Sequence, residues 1–171
     1  MKIGPTYNLP FRRKRDQKTD YNKRLKFLRS KQKRFIVRIS NSLVRTQIVD
    51  YKEEGDVSLV FITSKELKKY GWNHSLKNTS AIYLTGLLTG VLAKEKKIES
   101  VIFDTGVKNF KSKSRIYAAL KGIIDAGIIC PHDPKAFPDE ARIEGKHVSE
   151  YLKKNIDKDF LEVRQKILSK K

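Results

Sequence analysis

Cysteine is almost absent from this chain, and so is any long apolar run. The single Cys130 excludes an internal disulfide and supplies no thiolate cluster for zinc, so we expect a small core residue at this position. The first residues lack the apolar stretch of a secretory signal peptide, and no segment approaches the roughly 20 apolar residues that span a bilayer. These absences predict a cytoplasmic protein without a membrane partner.

The motifs of common catalytic and cofactor sites are also missing. The chain contains no phosphate-binding glycine loop, no dinucleotide-binding glycine pattern and no nucleophile elbow. His74, His132 and His147 have no second histidine or cysteine at the spacing of metal ligands. We therefore predict that the protein is not an enzyme and holds no metal or cofactor.

What the chain has in excess is positive charge. The net charge is +19, and the segment Phe11–Arg34 carries 12 Lys or Arg against two acids. Repulsion of this size destabilises a compact state unless a polyanion neutralises it. Tyr7, Phe11 and Tyr21 interleave with the charges and offer rings for unstacked bases. An RNA partner fits this segment better than an anionic membrane, because its apolar stripe is narrow. A basic adaptor for an acidic protein is a third alternative.

The basic segment is predicted to have two parts. Phe11–Arg15 has no apolar periodicity, so we expect an arm that becomes ordered only on RNA. Lys18–Ser30 is expected to be a basic helix, because Tyr21, Leu25 and Leu28 share one helical face. This helix leads into the first strand.

The elements after the arm follow the order β-β-β-α-β-α. They are strands over Arg34–Ile39, Leu43–Tyr51 and Val57–Thr63, a buried helix over Ala81–Lys94, a strand over Ser100–Asp104 and an amphipathic helix over Ser114–Ala126. Shorter elements are expected at Lys65–Tyr70 (a helix), Ile128–Cys130 (a strand), His147–Lys154 and Asp157–Lys170 (helices).

This order predicts an α/β fold of the ribonuclease-H-like type, a mixed sheet with helices packed on it. A basic N-terminal arm and helix precede the sheet, and C-terminal helices follow it. We divide the chain into an arm with a short helix (1–33), an α/β core domain (34–130) and a C-terminal loop with helices (131–171). Gly86 and Gly90 predict a close approach of the buried helix to the sheet. In the third strand, Val57, Leu59 and Phe61 alternate.

The first two strands predict a hairpin with Asn41-Ser42 as its turn. In that register Arg38 lies directly opposite Arg45. Like charges in a direct cross-strand pair are destabilising. Either an anion lies between the two guanidinium groups or both turn into the solvent. A three-residue loop would change the parity of the pairing.

A metal-dependent nuclease is the alternative function, because ribonuclease-H-like enzymes cleave nucleic acids. Such enzymes hold two divalent ions with several carboxylates, one of them on the first strand. Here no acid occurs between Asp20 and Asp50, so the first strand supplies none. Asp104 ends the fourth strand as a single candidate ligand. Asp104-Thr105-Gly106 also fits a turn in which the carboxylate orders the loop.

Basic and aromatic clusters are the candidate RNA-binding residues, because cations neutralise phosphates and rings stack on bases. The arm and the helix after it contribute Arg12, Arg13, Lys14, Arg15, Lys18, Tyr21, Lys23 and Arg24. Later segments contribute Arg38 and Arg45, then Lys68, Lys69 and Trp72, and then Lys111, Lys113 and Arg115. Each cluster taken singly is explained as well by a solvated surface, but their combination with the arm favours RNA.

Several segments resemble one protein family in their order and spacing. They are PFRRKRDQKTDYNKRL, KELKKYGW, AIYLTGLLTG, VIFDTG, YAALKGIIDAG and PDEARIEGKHVSEYL. Together they resemble the archaeal form of large-subunit ribosomal protein eighteen (the uL18 family), whose eukaryotic counterpart is ribosomal protein five. The resemblance runs from Gly4 to about Leu152.

The resemblance implies a structural constituent of the large ribosomal subunit with a ribonuclease-H-like fold that lacks the catalytic acids. It implies binding to 5S rRNA in the central protuberance, where the protein helps tether that RNA to the large-subunit rRNA. A neighbouring 5S-binding ribosomal protein, number five in bacterial counting, is the implied protein partner. The arm residues implied to lie on 5S rRNA are Arg12, Arg13, Arg15, Lys18, Tyr21 and Arg24. This chain departs from the family at Gln17 and near Lys113, where the family usually has glycine.

Overall fold

The centre of the structure is a mixed β-sheet. A computed structural model describes Gly4 and residues 6–169, and within them four strands pair in the order β3-β2-β1-β4. The strands are β1 (Arg34–Ile39), β2 (Val44–Lys52), β3 (Gly55–Thr63) and β4 (Ile102–Asp104). The first three are antiparallel neighbours, and β4 runs parallel to β1. The α/β class and the order of the core elements are confirmed.

Helices lie before, between and after these strands. They are α1 (Arg12–Arg15), α2 (Tyr21–Arg29), α3 (Thr79–Glu95), α4 (Ile116–Asp125), α5 (Glu140–Glu144), α6 (Lys146–Leu152) and α7 (Ile156–Leu168). Two 3-10 helices cover Ser64–Tyr70 and Pro134–Ala136. No helix in the described part of the chain is long and apolar enough to cross a membrane.

Most predicted elements are present, with shifted ends. The arm, which was expected to be ordered only on RNA, instead forms the short helix α1 over Arg12–Arg15 without RNA, because its C-terminal end is closed by backbone hydrogen bonds. The segment predicted as a strand over Ile128–Cys130 forms only one parallel bridge, between Ser100 and Ile129. The predicted helix over Lys65–Tyr70 is a 3-10 helix, and it closes at Gly71 in the left-handed conformation. The predicted end of the last helix at Lys170 lies outside the described residues.

The β1–β2 hairpin has the predicted register. The amide of Ser40 donates to the carbonyl oxygen of Leu43 at 2.9 Å, which leaves a two-residue turn. Arg38 is therefore paired with Arg45, as predicted. The alternate positions of both strands share one buried face. Its members are Phe35, Val37, Val44, Thr46 and Ile48.

The third strand turns one of its two apolar sets toward the core. Val60 and Ile62 face inward and are each 4% exposed, whereas Phe61 faces away from the core and is 52% exposed. A β-bulge near Leu59 shifts the pairing with β2. The strand is thus apolar on both faces at its C-terminal end, but only one face is covered.

The helix α3 packs on β2 and β3 and lies against α4 and α7. A Cβ atom added to Gly86 would overlap the carbonyl oxygen of Ala119, and one added to Gly90 would overlap the side chain of Ala126. Ala119 lies in α4, and Ala126 is the C-terminal cap of α4. The expectation that the glycines serve contact with the sheet is therefore wrong, because they serve the α3–α4 contact.

The C-terminal helix α7 completes the core. It buries Ile156, Phe160, Val163 and Ile167 in the same cluster as the side chains of α3 and α4. Cys130 is also buried there, as predicted, and burial raises the pKa of its thiol to about 11.

Candidate nucleic-acid interface

The helix α2 is fixed to the sheet by ion pairs centred on Arg34. This guanidinium is 4% exposed. Its Nη1 lies 3.3 Å from Asp104 Oδ2 and its Nη2 lies 2.6 Å from Asp56 Oδ2. Asp56 also receives Arg24 of α2, with Arg24 Nη2 at 3.3 Å from Oδ1. The network therefore joins α2 to β1, β3 and β4, and it holds the basic segment against the domain.

A second contact fixes α2 to the loop after β4. Lys23 Nζ donates to Thr105 Oγ1 and to the carbonyl oxygen of Gly106, both at 3.0 Å. The amide of Gly106 donates to Asp104 Oδ1 at 2.7 Å. Asp104 therefore orders the turn, as one of the two interpretations predicted, while its other oxygen is held by Arg34.

Both carboxylate oxygens of Asp104 are already bonded, one to the Gly106 amide and one to Arg34, so this side chain is not arranged as a metal ligand. Across residues 4 and 6–169 there is no group of three or more His, Cys, Asp or Glu side chains that could hold a metal ion. The carboxylate cluster that a two-metal nuclease needs is absent from this part of the chain. The geometry gives the nuclease alternative no support.

Arg13 of the arm, Lys18 and the docked helix α2 form one side of a basic groove, which we call the arm groove. Basic residues outnumber acids along it: its lining includes Arg13, Lys18, Lys23, Arg24, Arg34 and Arg38, with Asp20, Asp56 and Asp104. A second groove continues from Lys18 and Arg38 toward Lys108 and Arg115. Arm and core residues that are far apart in sequence therefore meet along one basic surface.

The candidate residues of the arm differ in how firmly they are held. Arg13 Nε donates to Thr19 Oγ1 at 2.9 Å, and Lys18 Nζ lies 3.2 Å from Asp16 Oδ2. The ion pair between Lys18 and Asp16 is exposed and contributes little stability, so Lys18 can exchange Asp16 for a phosphate. Among the described residues, several exposed candidates have no side-chain partner: Arg12, Lys14, Arg15, Arg45, Lys68, Lys69 and Lys111.

Arg38 and Arg45 are both exposed, as one of the two alternatives predicted, but Arg38 also has hydrogen-bond partners in the protein. Arg38 Nη1 donates to the carbonyl oxygens of Val37 at 3.0 Å and of Asp104 at 3.4 Å. The guanidinium of Arg38 therefore turns toward the C-terminal end of β4, although the residue stays exposed, as Arg45 does. Arg45 is left alone on the open face of the sheet.

The cluster around Trp72 is divided by the structure. Trp72 is 0% exposed and belongs to the hydrophobic core, with its Nε1 donating to the carbonyl oxygen of Ser75 at 3.2 Å. The prediction that its ring is available for a base is wrong, because the side chain is fully buried in the core. Lys68 and Lys69 remain exposed on the 3-10 helix, which lies next to α7 and away from the arm groove.

The third cluster lies on the loop before α4. Lys113 Nζ forms an exposed ion pair with Asp139 Oδ1 at 3.1 Å. Arg115 Nη1 donates to the carbonyl oxygen of Lys77 at 3.3 Å and lines the second groove. Sequence reasoning missed Lys108 in this groove and the central position of Arg34. Lys108 was detectable as the start of the basic loop, whereas the role of Arg34 depends on distant carboxylates.

Both departures from glycine occur in left-handed backbone. Gln17 has φ of 51° and Lys113 has φ of 62°. At Gln17 the helix α1 ends in a Schellman motif, in which the amide of Lys18 donates to the carbonyl oxygen of Arg13 at 2.9 Å. Glycine is the residue that adopts this conformation without steric cost. The turns therefore keep the geometry that glycine favours although the side chains differ.

The chain is similar to ribosomal proteins of the large subunit. A family model described as ribosomal large subunit proteins 60S L5 and 50S L18 matches residues 5–98. The chain is 44% identical to large ribosomal subunit protein uL18 of Methanococcoides burtonii, over 99% of this chain and 98% of that protein. It is 41% identical to the uL18 protein of Methanobrevibacter smithii, over 99% of this chain and 88% of that one. It is 44% identical to the uL18 protein of Korarchaeum cryptofilum, over 91% of this chain and 80% of that protein.

Proposed function

This chain belongs to the family of ribosomal large subunit proteins 60S L5 and 50S L18, and from this premise we propose that it binds 5S rRNA and helps tether it to the large-subunit rRNA. Membership of the family makes the protein a structural constituent of the large ribosomal subunit and not an enzyme. It acts in the ribosome with rRNA as its partner, and the finer assignment to 5S rRNA is the proposal.

The observation that carries the proposal is the joining of the arm to the core along one basic surface. Arg12, Lys14 and Arg15 are exposed on α1 without partners among the described residues. The arm groove beside them continues into the groove with Lys108 and Arg115. A continuous cationic surface of this kind follows a phosphate backbone, and it supplies affinity that falls with salt.

The docking of α2 divides the candidate residues by role. Lys23 and Arg24 hold α2 on the domain through the loop after β4 and through Asp56. They act as positioning residues, because their charged groups are already paired within the protein. Direct contact with 5S rRNA is proposed for the arm residues before them, with Tyr21 and Phe11 presenting rings whose centroids lie 5.3 Å apart.

A tether needs a second RNA-binding surface. Lys68 and Lys69 are exposed on a 3-10 helix that packs beside α7, whereas the arm groove lies between α2 and the loop after β4. Two separate basic surfaces fit two RNA segments, with 5S rRNA on the arm and large-subunit rRNA on the second surface. The neighbouring 5S-binding ribosomal protein remains an expected partner beside them.

The test is retardation of 5S rRNA in a gel across a salt series. We expect the triple variant Arg12→Gln, Arg13→Gln, Arg15→Gln to bind more weakly and to reduce the slope of log K against log salt by about 2 to 3, because each lost phosphate contact removes 0.7–0.9. The matched control removes three exposed lysines elsewhere, with Lys97, Lys135 and Lys158 changed to Gln. Equal loss in both variants would mean that net charge alone drives binding and would contradict the proposal.

A further inference from the structure

The open face of the sheet presents an aromatic ring at its edge. Phe61 of β3 is directly opposite Gln47 of β2, which in turn is opposite Ile36 of β1, so these residues form one cross-strand row. Ile36, which pairs on its other side with Asp104 of β4, is buried and lines the arm groove beneath α2. At the other end Phe61 is 52% exposed. The helix α2 therefore covers this face of the sheet at Ile36 but not at Phe61.

A free cation lies next to this ring. The neighbouring row consists of Arg38, Arg45 and Thr63, so Arg45 is a diagonal neighbour of Phe61. Diagonal neighbours in a sheet are about 7–8 Å apart, which long side chains span. Arg45 is exposed and has no partner among the described residues, since Arg38 has turned toward the C-terminal end of β4.

We propose that Phe61 and Arg45 form a stacking site for one unpaired base of rRNA, with the ring under the base and the guanidinium on an adjacent phosphate. Unpaired RNA is recognised by bases that stack on aromatic side chains beside cations. The cross-strand neighbour of the ring is Gln47 and a diagonal neighbour is Arg45, neither of which would repel a phosphate. The nearby carboxylate of Glu66 accepts the amide of Thr63, two residues along β3 from the ring. This inference rests on the proposed function and deepens it, because it names unpaired nucleotides as the ligand of the sheet face.

The site is tested with the full-length protein and a fluorescently labelled oligonucleotide of ten adenosines, by anisotropy at moderate salt. Phe61→Ala is expected to weaken binding by about 5- to 150-fold, the range for one base on an aromatic ring, without changing the salt slope. Phe61→Tyr is expected to retain binding. Arg45→Gln is expected to lower the slope by about one phosphate contact, roughly 0.7 for a single strand.

The control is Tyr151→Ala, which removes a ring from α6 that is 86% exposed, more than Phe61 itself. Equal affinity of Phe61→Ala and the wild type would overturn the inference. It would mean that the open face of the sheet contacts a protein or has no partner. Equal losses for Phe61→Ala and Tyr151→Ala would also overturn it, because they would show unspecific contact with any exposed ring. The gel retardation of 5S rRNA with the triple arm variant separates the two proposals. If the arm variant loses 5S rRNA binding but Phe61→Ala binds the oligonucleotide as the wild type does, only the stacking site is refuted.

Discussion

Replacing Asp104 with asparagine removes one of the two carboxylates that neutralise the buried guanidinium of Arg34. Removing one partner of a buried ion pair costs about 3–5 kcal/mol. Here Asp56 stays 2.6 Å from Arg34, and the amide oxygen of the new asparagine can still accept the Gly106 amide. We therefore expect a smaller loss, about 2–3 kcal/mol in the free energy of unfolding.

The measurement is urea denaturation followed by the fluorescence of Trp72, which is the single tryptophan and is fully buried. The control is Asp139→Asn, which makes the same chemical change at an exposed ion pair and should cost less than about 1 kcal/mol. A double variant adds Arg34→Met, which removes the charge that Asp104 neutralises. It should be more stable than the sum of the single effects indicates, because neither partner is left as an unpaired buried charge.

Two results would refute this account of Asp104. If Asp104→Asn costs no more than Asp139→Asn, the carboxylate does not neutralise Arg34. If the double variant shows only the sum of the two single losses, the residues are not coupled.

Three further predictions concern single residues. Lys113→Gly should stabilise the protein by about 0.5–1 kcal/mol in urea denaturation because Lys113 has positive φ, whereas Lys111→Gly should not stabilise it. Cys130 should react slowly with thiol reagents at pH 8 and rapidly in urea, since burial raises its pKa to about 11. Because the raised pKa favours the protonated thiol of the folded state, stability should fall as the pH rises from about 9 toward 11. Gly86→Ala should cost about 2–3 kcal/mol because its methyl group overlaps the Ala119 carbonyl, and unchanged stability would contradict the α3–α4 contact.

The local features of this protein were predictable from the sequence because short patterns specify them. The turn at Asn41-Ser42 and the alternation beside it determined the hairpin register, including the pairing of Arg38 with Arg45. The turn at Asp104 was likewise predictable, because its carboxylate reaches an amide only two residues away. The basic arm and the family were evident from charge and motif order.

The tertiary structure decided what depended on distant partners. Lys23 is held by Thr105, 82 positions along the chain, so no local pattern could show that it positions α2. The sequence of β3 has apolar residues on both faces, and only packing against α3 selected Val60 and Ile62 for the core. That choice left Phe61 exposed on the open face. Periodicity determines which residues share a face, but the burial of one face depends on which element covers it.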